Sequence, residues 1–179
     1  MRNSTAFLFL SCLALAGCDP NPEEAAPQCP IPAILPDAAT FAVYSPRGHD
    51  LTDLVLSGRM LHIAGACRGI QGGHHLRAEA HVEMVVTRGP AATTRVTDVP
   101  YFVGVVENGA VVEAPRRLAA RVTFPPNTDS VAVRGETVHF NFTLPKGVSG
   151  PNYHLYFGFQ LTPDQLAENR RRLATSQQQ

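Results

Sequence analysis

The chain contains no tryptophan and carries no net charge at pH 7. Its 15 lysine and arginine residues are balanced by 15 aspartate and glutamate residues. This balance gives no electrostatic reason to expect binding to nucleic acid. An immunoglobulin domain proper carries a tryptophan between two paired cysteines, so the lack of tryptophan argues against membership of that family.

Sequence motifs of catalysis are also missing. The chain has no G-x-S-x-G nucleophile elbow, no P-loop and no G-x-G-x-x-G turn. Asp50 and Asp53 stand three residues apart among turn-forming residues, which favours an Asp-stabilised turn over an acid–base pair. We therefore predict a protein that is not an enzyme and that has no catalytic residue, no metal site and no cofactor.

The N-terminal apolar run is too short to span a membrane. It covers residues 6–16, whereas a transmembrane helix needs about 20 apolar residues. A short apolar run that follows a basic residue, here Arg2, is typical of a secretory signal. The run ends in Leu15-Ala16-Gly17-Cys18, which matches the lipobox of bacterial lipoproteins. An ordinary cleaved signal with an incidental cysteine is the alternative.

The lipobox predicts that residues 1–17 are a lipoprotein signal peptide and that Cys18 is lipid-anchored. Two or more acyl chains on one residue anchor a protein durably, whereas one chain does so only marginally. We expect the protein in the bacterial cell envelope, lipid-anchored and facing the periplasm. Asp19 slightly favours the inner membrane, by resemblance to lipoproteins retained there in enteric bacteria. The outer membrane is the alternative location.

Few cysteines remain once the signal and the anchor are set aside. Cys12 lies in the signal and Cys18 carries the lipid, which leaves Cys29 and Cys67. The envelope is oxidising, so a Cys29–Cys67 disulfide is predicted. Two free thiols or a metal pair are the alternatives, although the spacing lacks a CxxC motif and a nearby histidine.

Proline is concentrated in one stretch. Residues 18–36 contain six prolines and are predicted to form a stiff, extended tether between the anchor and the domain. The remaining chain divides into a single domain at residues 37–174 and a disordered tail at residues 175–179.

Alternation of apolar and polar residues dominates that domain. It is clearest over residues 75–84 and recurs at 118–124, 138–144 and 153–161. Asn108-Gly109 predicts a type I′ hairpin turn, and Ser57-Gly58 indicates a bulge. Seven or eight short strands with turns between them predict an all-β antiparallel β-sandwich of immunoglobulin- or fibronectin-like architecture. A partly closed barrel is the alternative.

One helix is expected, at the C-terminal end. Thr162, Pro163 and Gln165 form a capping box with proline at the first helical position, and the helix would run to about Leu173. Arg170-Arg171-Arg172 would then lie at its C-terminal end, where cations complement the helix dipole. Contact with lipid headgroups or an acidic partner is the less favoured interpretation.

The histidines give a weak metal signal. His75 and His81 share a strand face but are about 20 Å apart, too far to share an ion. If residues 145–152 form a hairpin, His139 and His154 are also too far apart. The remaining candidate cluster is His74-His75 with His62 or Met60, whose ligand types would suit copper.

The mature chain resembles a family of uncharacterised proteobacterial lipoproteins. The segments that carry the resemblance are the lipobox, Gly48–Asp53, Pro100–Val106 and Gly158–Ala167. The resemblance implies anchoring and compartment, and no activity. We predict a membrane-anchored, non-enzymatic interaction or structural module with an envelope protein as partner. The alternative is a periplasmic carrier of a small ligand or of copper.

Overall fold

The computed structural model describes residues 28–70, 74–146, 148–176 and 178. The predicted signal peptide, the lipidation site at Cys18 and most of the predicted tether lie outside these residues. Among the residues described, no helix has the length and apolar character needed to cross a membrane.

Nine strands in the described part of the chain form two sheets. The strands are β1 (Ile31–Ile34), β2 (Thr40–Tyr44), β3 (Leu54–Ile70), β4 (His75–Arg88), β5 (Val96–Glu107), β6 (Ala110–Thr123), β7 (Ser130–Arg134), β8 (Val138–Thr143) and β9 (Tyr153–Phe159). One sheet has the order β1-β9-β5-β6. The other has the order β2-β3-β4-β7, and β8 also pairs with β4. The prediction of an all-β sandwich is confirmed.

Side chains of alternating strand residues fill the space between the sheets. In β4, Leu76, Ala78, Ala80, Val82 and Met84 are all buried, as the alternation predicts. The largest fully buried side chains are Tyr101, Phe140, Phe157 and Phe159.

The sandwich begins earlier than the predicted domain boundary at residue 37. β1 pairs with β9 in parallel, from Ile31 opposite His154 to Ile34 opposite Phe157, so part of the predicted tether belongs to the sandwich. Proline has no N–H to donate, and it is therefore confined largely to edge strands. Pro32 lies in β1, an edge strand. The strand was not predicted, because the prolines of this segment indicated a tether. The pairing of β1 with β9 is also the one parallel pairing among the described strands.

Local turn chemistry was easier to predict than strand partners. The Asn108-Gly109 turn is confirmed, because both residues have positive φ, 47° and 86°, as a type I′ turn requires. β3 departs from regular pairing at Leu61, which has no partner in β4, and at Val55, which has none in β2, and not at Ser57-Gly58. β8 and β9 do not form a hairpin, because β8 pairs with β4 and β9 pairs with β5 in the other sheet.

The C-terminal helix, α1 (Pro163–Ser176), begins as predicted. The Thr162 N–H donates to Gln165 Oε1 over 2.9 Å, and the Gln165 N–H donates to Thr162 Oγ1 over 3.3 Å, which forms the capping box. The helix continues past Leu173, so Thr175 and Ser176 belong to it and not to a tail.

The longer helix changes the role of its arginines. No basic residue lies in its last turn, so the predicted interaction of Arg170–Arg172 with the helix dipole is wrong. Arg170 pairs with Asp37 over 3.0 Å, and Arg172 and Arg171 both pair with Glu168. Hydrogen bonds from Arg172 and then Arg171 hold the pKa of Glu168 below its ordinary value.

Candidate functional site

The predicted disulfide lies on one side of the sandwich. Cys29 and Cys67 are at disulfide distance, with Cα atoms 5.6 Å apart, which confirms the prediction. Cys29 precedes β1 of one sheet and Cys67 lies in β3 of the other, so the bond joins the two sheets. Cys18, the predicted lipidation site, lies outside the described residues.

The histidine cluster proposed for copper does not form. Ile70 is opposite His75 in the β3–β4 ladder, so His62 lies about 26 Å from His75 along the sheet. Met60 is buried in the core opposite Met84. His139 and His154 belong to different sheets, which removes the basis of the predicted distance between them.

Two histidines instead flank one carboxylate on the outer face of β3 and β4. His62 Nε2 lies 3.6 Å from Glu83 Oε2, and His81 Nε2 lies 3.9 Å from Glu83 Oε1. His81 is 8% exposed, and its Nε2 has no hydrogen-bond partner among the residues that the structure describes. Nevertheless, no three His, Cys, Asp or Glu residues in the described part of the chain are grouped so that they can hold a metal ion.

Asp50 and Asp53 lie in one turn, but backbone groups close it and the Asp50 side chain makes no cap bond, so the predicted Asp-stabilised turn is wrong. The Asp53 N–H donates to the Asp50 carbonyl over 2.9 Å, and Ser45 Oγ donates to Asp53 Oδ1 over 3.2 Å. Arg47 lies 3.8 Å from the same carboxylate oxygen. Both contacts hold the Asp53 side chain within this turn.

Strand edges are candidate binding surfaces, since an edge presents unpaired backbone groups to other chains. The outer edge of β2 is covered by α1. Gln165 Nε2 donates to the Ala42 carbonyl over 2.8 Å, and Asn169 Nδ2 donates to the Thr40 carbonyl over 2.8 Å. Side-chain amides of the helix thus occupy carbonyl groups that another strand would need.

The edges of β6 and β8, on the opposite side of the sandwich, are also protected. β6 contains Pro115 and charged residues on both sides of it, and its pairing with β5 is irregular near Val103–Val106. Arg116 Nη1 donates to the His139 carbonyl of β8 over 2.9 Å, and its guanidinium lies 5.0 Å from the ring centre of Phe140. Prolines, charges and bulges are the usual features that keep a strand edge from pairing.

The outer edge of β3 at residues 61–66 has one of these features, the bulge at Leu61, and lacks the others, and we call it the open edge. β2 covers β3 only as far as Arg59, and in the described part of the chain residues 61–66 have no backbone partner other than β4. The segment Leu-His-Ile-Ala-Gly-Ala contains no proline, lysine, arginine or acidic residue. Leu61, the residue at the bulge, is 41% exposed.

Two concave regions flank β2. A polar groove of about 880 Å³ lies between α1 and the outer face of β2 and β3, with Arg59, Arg171 and Glu168 among its lining residues. A smaller, mainly apolar cavity of about 340 Å³ opens between the two sheets and includes Phe41 and Phe159. Neither was predicted, since each depends on how the sheets and the helix pack.

Comparisons of the chain with protein-family models, with curated proteins and with solved structures find no match. The structural class of the protein is therefore defined by its fold and strand edges alone. The described chain is an all-β sandwich with one C-terminal helix, in which the long strand β3 has no strand neighbour on its outer edge over residues 61–66.

Proposed function

We propose that the protein is a non-catalytic interaction module of the bacterial cell envelope, held to a membrane by a lipid on Cys18. Its docking element is the open edge of β3. An extended segment of an envelope protein adds to residues 61–66 as a further strand, with main-chain hydrogen bonds that supply affinity.

The observation that carries the proposal is the contrast between edges. Helix side chains cover β2, proline lies in β1 and in β6, and an arginine occupies a carbonyl of β8. β3 continues beyond β2 for a further eleven residues with none of these devices over residues 61–66. A strand edge that is long, uncharged and free of proline is a template for pairing.

Small side chains also favour the approach of a partner strand. Ala64, Gly65 and Ala66 follow one another in the open edge. A Cβ at position 65 would collide with the Glu79 carbonyl of β4, so the glycine allows the close β3–β4 approach at this point. Leu61, which is 41% exposed, offers an apolar contact beside the small residues, whereas Ile63 packs against the core.

Site-specific photo-crosslinking in cells tests the docking element. A photoreactive residue in place of Leu61 is expected to give a discrete adduct with one envelope protein, whereas the same residue in place of Val111, exposed on β6, gives none. Ala66→Lys should reduce the Leu61 adduct about tenfold, equivalent to about 1.4 kcal/mol of binding free energy, because a charge on the edge opposes pairing.

The matched control is Ala132→Lys. Ala132 is also exposed and lies on the outer face of the same sheet, opposite Val85 in the β4–β7 ladder. We expect this variant to keep the adduct. An equal loss with both lysines, or an equal adduct from Leu61 and Val111, would show that the open edge is not the docking element.

Metabolic labelling with palmitate tests the anchor. The chain is expected to take up label, and Cys18→Ser is expected to abolish both the label and membrane fractionation, since the acyl chains supply the membrane affinity. Cys12→Ser, a cysteine in the predicted signal peptide, should leave both unchanged. Labelling that survives Cys18→Ser would place the lipid elsewhere, and an unaltered chain that takes up no label would exclude it.

A further inference from the structure

The cavity between the sheets, which we call the end cavity, has the size and character of a small-molecule site. Its volume of about 340 Å³ falls in the range of roughly 300–1,000 Å³ that is typical of ligand pockets. It opens where β2 and β3 of one sheet face β5 and β9 of the other. The apolar side chains that line it include Phe41, Val43, Leu56, Val99, Phe124 and Phe159.

Most polar groups of the end cavity already have partners within the protein. Gln160 Nε2 donates to the Tyr101 carbonyl over 2.7 Å. Gln165 donates through Nε2 to the Ala42 carbonyl and accepts from the Thr162 N–H through Oε1. These amides therefore require no hydrogen bond from a ligand, and the body of a ligand can be apolar.

Arg88 supplies the one basic side chain among the lining residues. Its Nε lies 3.3 Å from Asp129 Oδ1, and its Nη1 donates to the Ala92 carbonyl over 3.2 Å. Asp129 is mostly exposed, with 65% of its side chain accessible, whereas Arg88 is 21% accessible. A guanidinium has five N–H donors, and the bonds in the described part of the chain engage Nε and Nη1, which leaves Nη2 for a further acceptor.

The one acidic side chain among the lining residues is already balanced. Asp98 lies 3.7 Å from Arg121 on the neighbouring strand β6. Because Arg121 compensates Asp98, this carboxylate does not oppose an anion that approaches Arg88. An arginine at the rim of an apolar cavity matches a carboxylate at the end of a hydrocarbon chain.

We propose that the end cavity binds a single-chain carboxylate amphiphile, such as a medium-chain fatty acid. The hydrocarbon chain lies among Phe41, Leu56 and Phe159, and the carboxylate accepts hydrogen bonds from Arg88. The open edge at residues 61–66 contributes no residue to this cavity, so the two sites are tested separately.

Binding of decanoate and of decanol to the signal-free Cys18→Ser chain tests this site. The described strands and α1 all begin after residue 30, so the replacement leaves the sandwich intact and removes the need for detergent. Isothermal titration is expected to show micromolar binding of decanoate and about tenfold weaker binding of decanol, because decanol cannot form a charge-assisted bond with Arg88. Equal affinity of the two ligands, or no binding of decanoate, would overturn the proposal.

Substitutions locate the ligand in the end cavity. Val43→Phe, at a lining residue that is 41% exposed, should weaken decanoate binding about tenfold by filling the cavity. Val112→Phe, at a residue of β6 that is 45% exposed and outside the cavity, should leave it unchanged. An equal effect of both variants would mean that decanoate binds elsewhere on the surface.

Arg88 can be tested even if its loss weakens the fold. Arg88→Gln should remove the preference for decanoate over decanol. Asp129→Asn keeps the guanidinium and removes its ion pair, and it should leave the preference intact or increase it. A preference that survives Arg88→Gln, or that Asp129→Asn abolishes, contradicts the role of Arg88.

Discussion

At the scale of single residues, Tyr101 joins the two sheets by one hydrogen bond. Its side chain lies in β5 and is fully buried, and its hydroxyl accepts a bond of 2.8 Å from the N–H of Glu136, between β7 and β8 of the other sheet. Gly135 lies directly against this hydroxyl. Burial raises the pKa of Tyr101 above its usual value of 10.0, with a smaller contribution in the same direction from the Glu136 carboxylate.

Removal of this hydroxyl should weaken the fold. Tyr101→Phe removes the acceptor of the Glu136 N–H, so the free energy of unfolding should fall by about 0.5–1.5 kcal/mol. Urea denaturation measures the change. Tyr156→Phe, a half-buried tyrosine of β9 that stacks on His154, serves as control, and an equal loss in both variants would contradict the role of the Tyr101 bond.

Alkaline pH should act through the same group. Because the pKa is raised in the folded state, the unfolded chain ionises first, and stability that is complete below pH 10 is lost as the pH rises above it. Burial and the nearby Glu107 also raise the pKa of Tyr153, which adds to the loss. Tyr101→Phe should reduce the alkaline loss measured by denaturation between pH 9 and 11, on the scale of about 1.4 kcal/mol per pKa unit. An unchanged pH profile would be inconsistent with this assignment.

At the scale of elements, α1 protects the edge of β2 through side-chain amides. Asn169 is 9% exposed, and its Nδ2 donates to the carbonyls of Asp37 and Thr40 over 2.9 and 2.8 Å. The capping motif at Thr162 predicted where α1 begins. Periodicity could not predict this contact, because it depends on where the helix docks relative to a strand more than 120 residues earlier.

Loss of the Asn169 amide should loosen the helix from β2. Asn169→Ala leaves two carbonyls without their donor and is expected to lower the free energy of unfolding by about 1–3 kcal/mol. Because β2 then offers an uncovered edge, aggregation above micromolar concentration should also increase. Light scattering and denaturation check both effects, with the exposed Asn141→Ala as control. A variant as stable and soluble as Asn141→Ala would contradict protection by α1.

Alternation predicted the strands better than it predicted their neighbours. The alternation of apolar and polar residues over 75–84 predicted the buried face of β4 correctly, because a period of two is a local property of a strand. The chain between β8 and β9 instead crosses from one sheet to the other, which no local pattern records. The open edge could not be predicted from the sequence for the same reason, since strand order decides which part of β3 lacks a neighbour.

At the scale of the whole molecule, the Cys29–Cys67 bond closes one side of the sandwich. It ties the start of β1, the short parallel strand, to β3 of the other sheet. Cysteine counting predicted this pair because the predicted signal peptide and lipid anchor left no other cysteines to pair. On the opposite side, Arg116 of β6 bridges to β8 through a hydrogen bond and a ring contact, for which the sequence gives no signal.

Removal of the disulfide should therefore destabilise the sandwich without changing its topology. The double variant Cys29→Ser, Cys67→Ser closes no loop in the unfolded chain, and its free energy of unfolding should be about 2–4 kcal/mol lower. Denaturation of the oxidised chain, the reduced chain and the variant provides the comparison. Equal stability of all three would show that the bond contributes nothing to the fold.

Amide hydrogen exchange at residues 61–66 tests the central claim most directly. The full chain, with the lipid that we propose on Cys18, would be compared in two settings, purified in lipid vesicles and in the isolated native envelope. Strand addition predicts that amides of the open edge exchange quickly in vesicles and become protected in the envelope, while β2 and β6 change little. Equal exchange of residues 61–66 in the two settings would contradict docking at this edge.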